Sequence, residues 1–140
     1  METVGIPPAV ILTKEAPMPF ASIRIITDDV ARLVDFYELV TRTEAVRPAP
    51  VFAEIRGSGA TLAIGAAATV QMLGASAPVP RSAGSIIIEF LVDDVDDEFE
   101  RLRPHLTDVV LEPATMPWGN RSTLFRDPDG NLVNLFARPA

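Results

Sequence analysis

The chain contains no cysteine, so disulfides, thiolate nucleophiles and cysteine-ligated metals are excluded. No run approaches the roughly 20 apolar residues of a membrane helix, so no membrane span is expected. Basic residues are outnumbered, 12 Lys and Arg against 19 Asp and Glu, and the net charge of −7 argues against nucleic acid as a partner. A small cationic molecule is more welcome on charge alone, although net charge mainly serves solubility. The first residues carry Glu2 and the Pro7-Pro8 pair with no basic start. They lack a signal-peptide layout, and cytoplasmic location is the expectation. At 140 residues the chain suits one domain with a real core.

What the sequence does hold is a duplication. ITDDVARLVDFYE begins at Ile26 and LVDDVDDEFERLR begins at Leu91, 65 positions later. Each copy is an apolar β-rich run, an Asp-Asp-Val hinge and then helical spacing. Downstream, GSGATLAI from Gly57 and DPDGNLVNL from Asp127 both place a glycine turn before an apolar strand. Two copies are too few for a solenoid, so a folded pair of half-domains is expected. Residues 1–18 read as an extension in which 9–12 form an edge strand or a dimer arm. Residues 19–138 read as one domain with modules at about 19–72 and 84–137.

In the first module, residues 22–27 read as a strand and a helix starts near 29, capped by Asp28 or Asp29. Val30, Leu33, Val34 and Tyr37 mark its buried face. Strands follow at 45–47, 51–56 and 60–64. Residues 66–84 hold a short helix and a Pro-rich connector. In the second module, a strand at 85–92 precedes a helix from about 94, whose crowded carboxylates suit the positive end of the helix dipole. Val95, Phe99 and Leu102 form its stripe, and strands follow at 109–111, 122–125 and 132–136. Asp127-Pro128-Asp129-Gly130 has the chemistry of a tight antiparallel turn, and its carboxylates are assigned local backbone duties.

The βαβββ order repeated twice, Phe36-Tyr37 in the first helix and RDPDGNLVNLF at the end together resemble the vicinal oxygen chelate superfamily of glyoxalases, extradiol dioxygenases and bleomycin-resistance proteins. The resemblance covers about residues 19–136. It implies an α+β fold of two βαβββ modules whose curved sheets form a cleft, with the helices packed outside. Metal-dependent members hold an ion on the first and last strands of each module. The matching positions here are Ser22, Ala63, Ile87 and Asn134. A catalytic divalent ion needs about three protein ligands, typically imidazoles and carboxylates. These four do not supply them, so no metal and no cofactor are expected. The sole histidine, His105, falls near the end of the second helix, where a surface or capping role is expected.

If those positions define the inward face, strand alternation turns Arg24 and Glu89 inward as repeat equivalents. Charges in a cavity are costly unless paired. Either the two form a salt bridge across the modules, or Arg24 anchors an anionic ligand group and Glu89 a cationic one. Met116-Pro117-Trp118-Gly119-Asn120-Arg121 resembles the drug-binding rim of the metal-free bleomycin-resistance branch. Trp118 would stack on a planar ligand and Asn120 or Arg121 would orient it, the alternative being that Trp118 is a core or dimer anchor. Phe52 and Glu54 share a strand face and are further rim candidates, and Asn134 is a polar cleft residue.

Two functions follow. One is a metal-independent small-molecule-binding protein, expected as a homodimer, that sequesters a planar or amphipathic compound in the manner of bleomycin-resistance proteins. The alternative is an enzyme of lyase, isomerase or dioxygenase type using Glu54, Glu89 or a shifted metal site. A third, blander reading has the domain act through protein contacts alone.

Overall fold

The computed structural model describes residues 18–140, and the expected edge strand or arm at 9–12 lies outside the described residues. Two modules of identical order follow one another. The first is β1 (Ser22–Thr27), α1 (Val30–Thr41), β2 (Val46–Ala49), β3 (Phe52–Arg56) and β4 (Thr61–Ala66). The second is β5 (Ile87–Leu91), α2 (Val95–Leu102), β6 (Val109–Thr115), β7 (Arg121–Arg126) and β8 (Leu132–Ala137). The sheets are ordered β1-β4-β3-β2 and β5-β8-β7-β6, with β1 parallel to β4 and β5 parallel to β8.

Local chemistry sets the boundaries. The Asp29 carboxylate accepts from the Arg32 amide at 3.0 Å and Asp94 accepts from the Asp97 amide at 3.0 Å, so the second Asp of each pair caps its helix. Strand β6 runs four residues beyond the expected 109–111, through Pro113. That is tolerated because β6 is a sheet edge and Pro113 forfeits no essential ladder bond. The connector forms two 3₁₀ turns, Ala67–Thr69 and Gln71–Ser76, rather than one helix. Gly74, at φ 58°, interrupts the second.

The expectation that the helices pack outside does not hold. The α1 stripe of Leu33, Val34, Tyr37 and Val40 joins Ile25, Ile55 and Ile64 of its own sheet to Phe125, Val133 and Leu135 of the other sheet in a single core. Tyr37 is fully buried, and its ring lies 6.3 Å from Phe90. Phe36 meets Phe125 edge-on at 6.0 Å. Polar bonds fasten the same seam. Arg101 of α2 donates to the Leu39 and Val40 carbonyls at 2.7 and 2.9 Å, satisfying acceptors orphaned at the end of α1. Glu98 binds both Arg42 and Arg101. Each sheet therefore turns its helix-bearing side toward a common core, and the opposite side of each sheet is left open.

Candidate functional site

Register and burial identify the open faces. Leu62 and Ile64 are core residues, so the alternate residues Thr61, Ala63 and Gly65 of β4 lie on the other side. Pairing brings Arg24 beside Ala63 and Ala63 beside Glu54, one continuous row across three strands. The next row is Ile26, Gly65 and Phe52. In module 2, core Val133 and Leu135 leave Leu132, Asn134 and Phe136 on the open side, and Glu89 pairs with Asn134 and Asn134 with Leu124.

All four positions that the resemblance nominates for a metal stand on these faces. Their chemistry does not fit an ion. Ser22 offers a hydroxyl, while Ala63 and Ile87 offer nothing. The Asn134 amide nitrogen donates to Glu89 Oε2 at 2.9 Å, which fixes the amide orientation and leaves Asn134 Oδ1 buried without a partner. One neutral oxygen is far short of three ligands. Among the described residues no group of three or more His, Asp or Glu side chains is placed to hold a metal. His105 ends a 3₁₀ turn after α2 and is exposed.

The expected ion pair between Arg24 and Glu89 is not formed, because the two residues stand on open faces that turn away from the shared core. Glu89 is engaged by Asn134 instead. Glu54 is held by Arg56 through bonds of 3.0 and 2.7 Å. Arg24 makes no ion pair, hydrogen bond or ring contact among the described residues. Every other arginine of the chain makes at least one. The seat of Arg24 is specific: a Cβ at Gly65 would stand 3.2 Å from Arg24 Cδ and 2.9 Å from Thr69 Oγ1. A side chain at 65 would crowd Thr69 first and the arginine stem second.

The segment before β7 is a tight turn. The Gly119 amide donates to the Met116 carbonyl at 2.8 Å, and Gly119 adopts φ 102°. Trp118 is 70% exposed, so it is no core anchor, and Asn120 is half-buried. Arg121 lies on the helix side of β7, opposite the Ser122 face, where it binds Asp96 of α2 at 2.8 and 3.0 Å and Thr115 Oγ1 at 3.3 Å. This guanidinium holds the Asp96 carboxyl below the usual carboxylate range. Arg121 is thereby tied to the helix rather than to the open face.

A feature the sequence did not single out is a groove of about 910 Å³ between the modules, running along the unpaired edge of β5. Phe20, Ile23, Val40, Ile87 and Leu91 line it together with the Gly57–Thr61 turn. The run of exposed apolar residues at Ile86, Ile87 and Leu91 was its only sequence signal.

The family model of the Glyoxalase/Bleomycin resistance protein/Dioxygenase superfamily matches residues 20–135. The chain belongs to this superfamily. Among solved structures, the glyoxalase/bleomycin resistance protein/dioxygenase superfamily fold recurs in a Nocardioides protein of that description. It is 24% identical, with TM-score 0.70, covering 91% of this chain and 87% of that one. A lactoylglutathione lyase from Agrobacterium tumefaciens is 24% identical with TM-score 0.67, covering 88% and 96%. A glyoxalase-related enzyme from Fulvimarina pelagi is 21% identical with TM-score 0.72, covering 84% and 86%. At these identities the likeness to the solved structures is one of fold. No curated protein matches the sequence.

Proposed function

We propose that this glyoxalase-superfamily chain is a metal-independent small-molecule-binding protein that works as a homodimer. The observation that carries the reading is the donor set: Ser22, Ala63, Ile87 and Asn134 replace the ligands that metal-dependent members hold, and Asn134 is already committed to Glu89. The open faces carry polar and aromatic groups that suit ligand contacts, Arg24, Phe52 and Glu54 on one and Glu89 and Asn134 on the other. Trp118 and Asn120 add an aromatic and a polar group at the β6–β7 turn.

The packing of the two modules supports the homodimer reading. Because both modules spend their helix sides on a common core, one chain does not turn its two open faces toward each other. A second copy would set the module 1 face of one chain against the module 2 face of the other. Ile87 and Leu91, 51% and 57% exposed, are the apolar residues such a contact would cover. Catalysis through Glu54 or Glu89 has less support, since Arg56 and Asn134 already engage these carboxylates.

Trp118 fluorescence titrated with aromatic acids, phenazines and cationic glycopeptides tests the reading. Saturable quenching with the compound recovered unchanged is the expected result. Conversion of the compound to product would contradict it.

A further inference from the structure

We propose that the Ala-Val-Ile-Leu-Thr run at 9–13 docks as an added strand on the free edge of β5 within its own chain, filling the groove between the modules. Among the described residues, the four edge strands of the two sheets are not alike. Each outer edge is blunted by a proline, Pro48 in β2 and Pro113 in β6, which has no amide to donate. The inner edges, β1 and β5, carry none. Of these two, β5 lies along the groove for its whole length, whereas β1 reaches it only through Ser22 and Ile23. The Val92 amide donates to the Phe136 carbonyl of β8 at 2.9 Å. Strand alternation therefore turns the amides of Ile87, Glu89 and Leu91 toward the free edge, where no described strand pairs with them.

The chain itself carries a segment that fits this edge. Residues 9–13 are uncharged and rich in β-branched side chains, bounded by Pro7-Pro8 on one side and by Lys14, Glu15 and Pro17 on the other. The run has the same five-residue length as β5, about 17 Å of strand in each case. The described chain starts at Met18, and Phe20 already lines the groove. The five steps from 13 to 18 span at most roughly 17 Å, which is enough to lay the run along β5. Alternate side chains of the added strand then reach buried Val40 and Leu135 on the floor of the groove, and the others stand beside exposed Ile87 and Leu91. A strand added in the plane of its sheet widens the module 2 open face and does not cover it, so the second copy proposed above keeps its contact.

Hydrogen exchange of the full chain, read at single amides by NMR, tests the proposal. The Glu89 and Leu91 amides should exchange at least about tenfold more slowly than in a chain lacking residues 1–17, while the amides of β8 stay equally protected in both. Ile11→Pro in the full chain, which removes a donor without shortening the chain, should expose the same two amides. Because the chain has no cysteine, Ile11→Cys combined with Glu89→Cys, the midpoints of the two runs, gives a short thiol crosslinker one pair of sites. The crosslinked product should run as a single chain on a denaturing gel. Edge amides that exchange freely in the full chain overturn the proposal. Protection that survives removal of residues 1–17 also overturns it and assigns the edge to a second copy. A crosslinked product of two chains, or none, overturns docking within the chain, the two-chain product placing the run in the groove of the partner.

Discussion

Asn134 donates its amide to Glu89 across the parallel strands β8 and β5 at 2.9 Å. A position that the family resemblance nominates for a metal ligand thus serves as a hydrogen-bond donor to a neighbouring acid. A glutamate at 134 would oppose Glu89 directly, and like charges side by side on a sheet are destabilising. Asn134→Glu should therefore lower stability by about 0.5–1 kcal/mol on this pair alone, and Glu89→Gln in the same chain should recover it. Denaturant melts of the two single variants and the double variant measure the coupling.

Tyr37 donates to buried Asp127 at 2.6 Å and is the only tyrosine. Burial first, then the Asp127 carboxylate, pushes its ionisation well above the ordinary value of about 10. A raised folded value means that the contribution is complete below about pH 10 and is lost as pH climbs beyond it. Phenolate absorbance should stay absent near pH 10 in the folded protein and appear only together with alkaline unfolding. Tyr37→Phe should cost about 1.5–3 kcal/mol at neutral pH and remove that part of the alkaline destabilisation.

Glu98 fastens the modules at the acid end of the pH scale. Burial would raise its carboxyl, but hydrogen bonds from Arg101 and Arg42 outweigh that and hold it below the usual range. A lowered folded value contributes stability above the ordinary carboxylate range, lost as pH falls through the depressed value. Acid titration of Glu98→Gln against wild type should show a shallower fall in stability for the variant. Arg101→Met should cost more than Arg42→Met, because Arg101 also caps the Leu39 and Val40 carbonyls.

The proposed homodimer predicts a mass of twice the chain by light scattering at micromolar concentration. Leu91→Glu, placed on an exposed strand position, should yield the monomer with unchanged far-UV dichroism and a weakened ligand response. Trp118→Ala should change stability by no more than about 0.5 kcal/mol, given its exposure.

What the sequence made legible was local. The caps, the DPDG turn and the alternation of each strand depend on neighbours a few residues apart, and the duplication supplied the register between modules. Asp127 shows the boundary. Its bonds to the Asp129 and Asn131 amides are readable from the turn chemistry, whereas its bond to Tyr37 spans 90 positions and leaves no periodic trace. The same holds for Arg101 capping α1 and for Arg121 tied to Asp96, which turned a rim candidate toward a helix. The inward direction of Arg24 and Glu89 was read from alternation alone. That the two inward faces belong to sheets facing apart required the packing of α1, which its sequence stripe did not reveal.

The central claim is that the site is not a metal site. Divalent metal content of the full chain, purified without chelators and then titrated calorimetrically with zinc, nickel, cobalt and manganese, tests it most directly. The account predicts substoichiometric metal and no saturable binding that depends on Asn134. Near-stoichiometric ion, lost in Asn134→Ala, would contradict it.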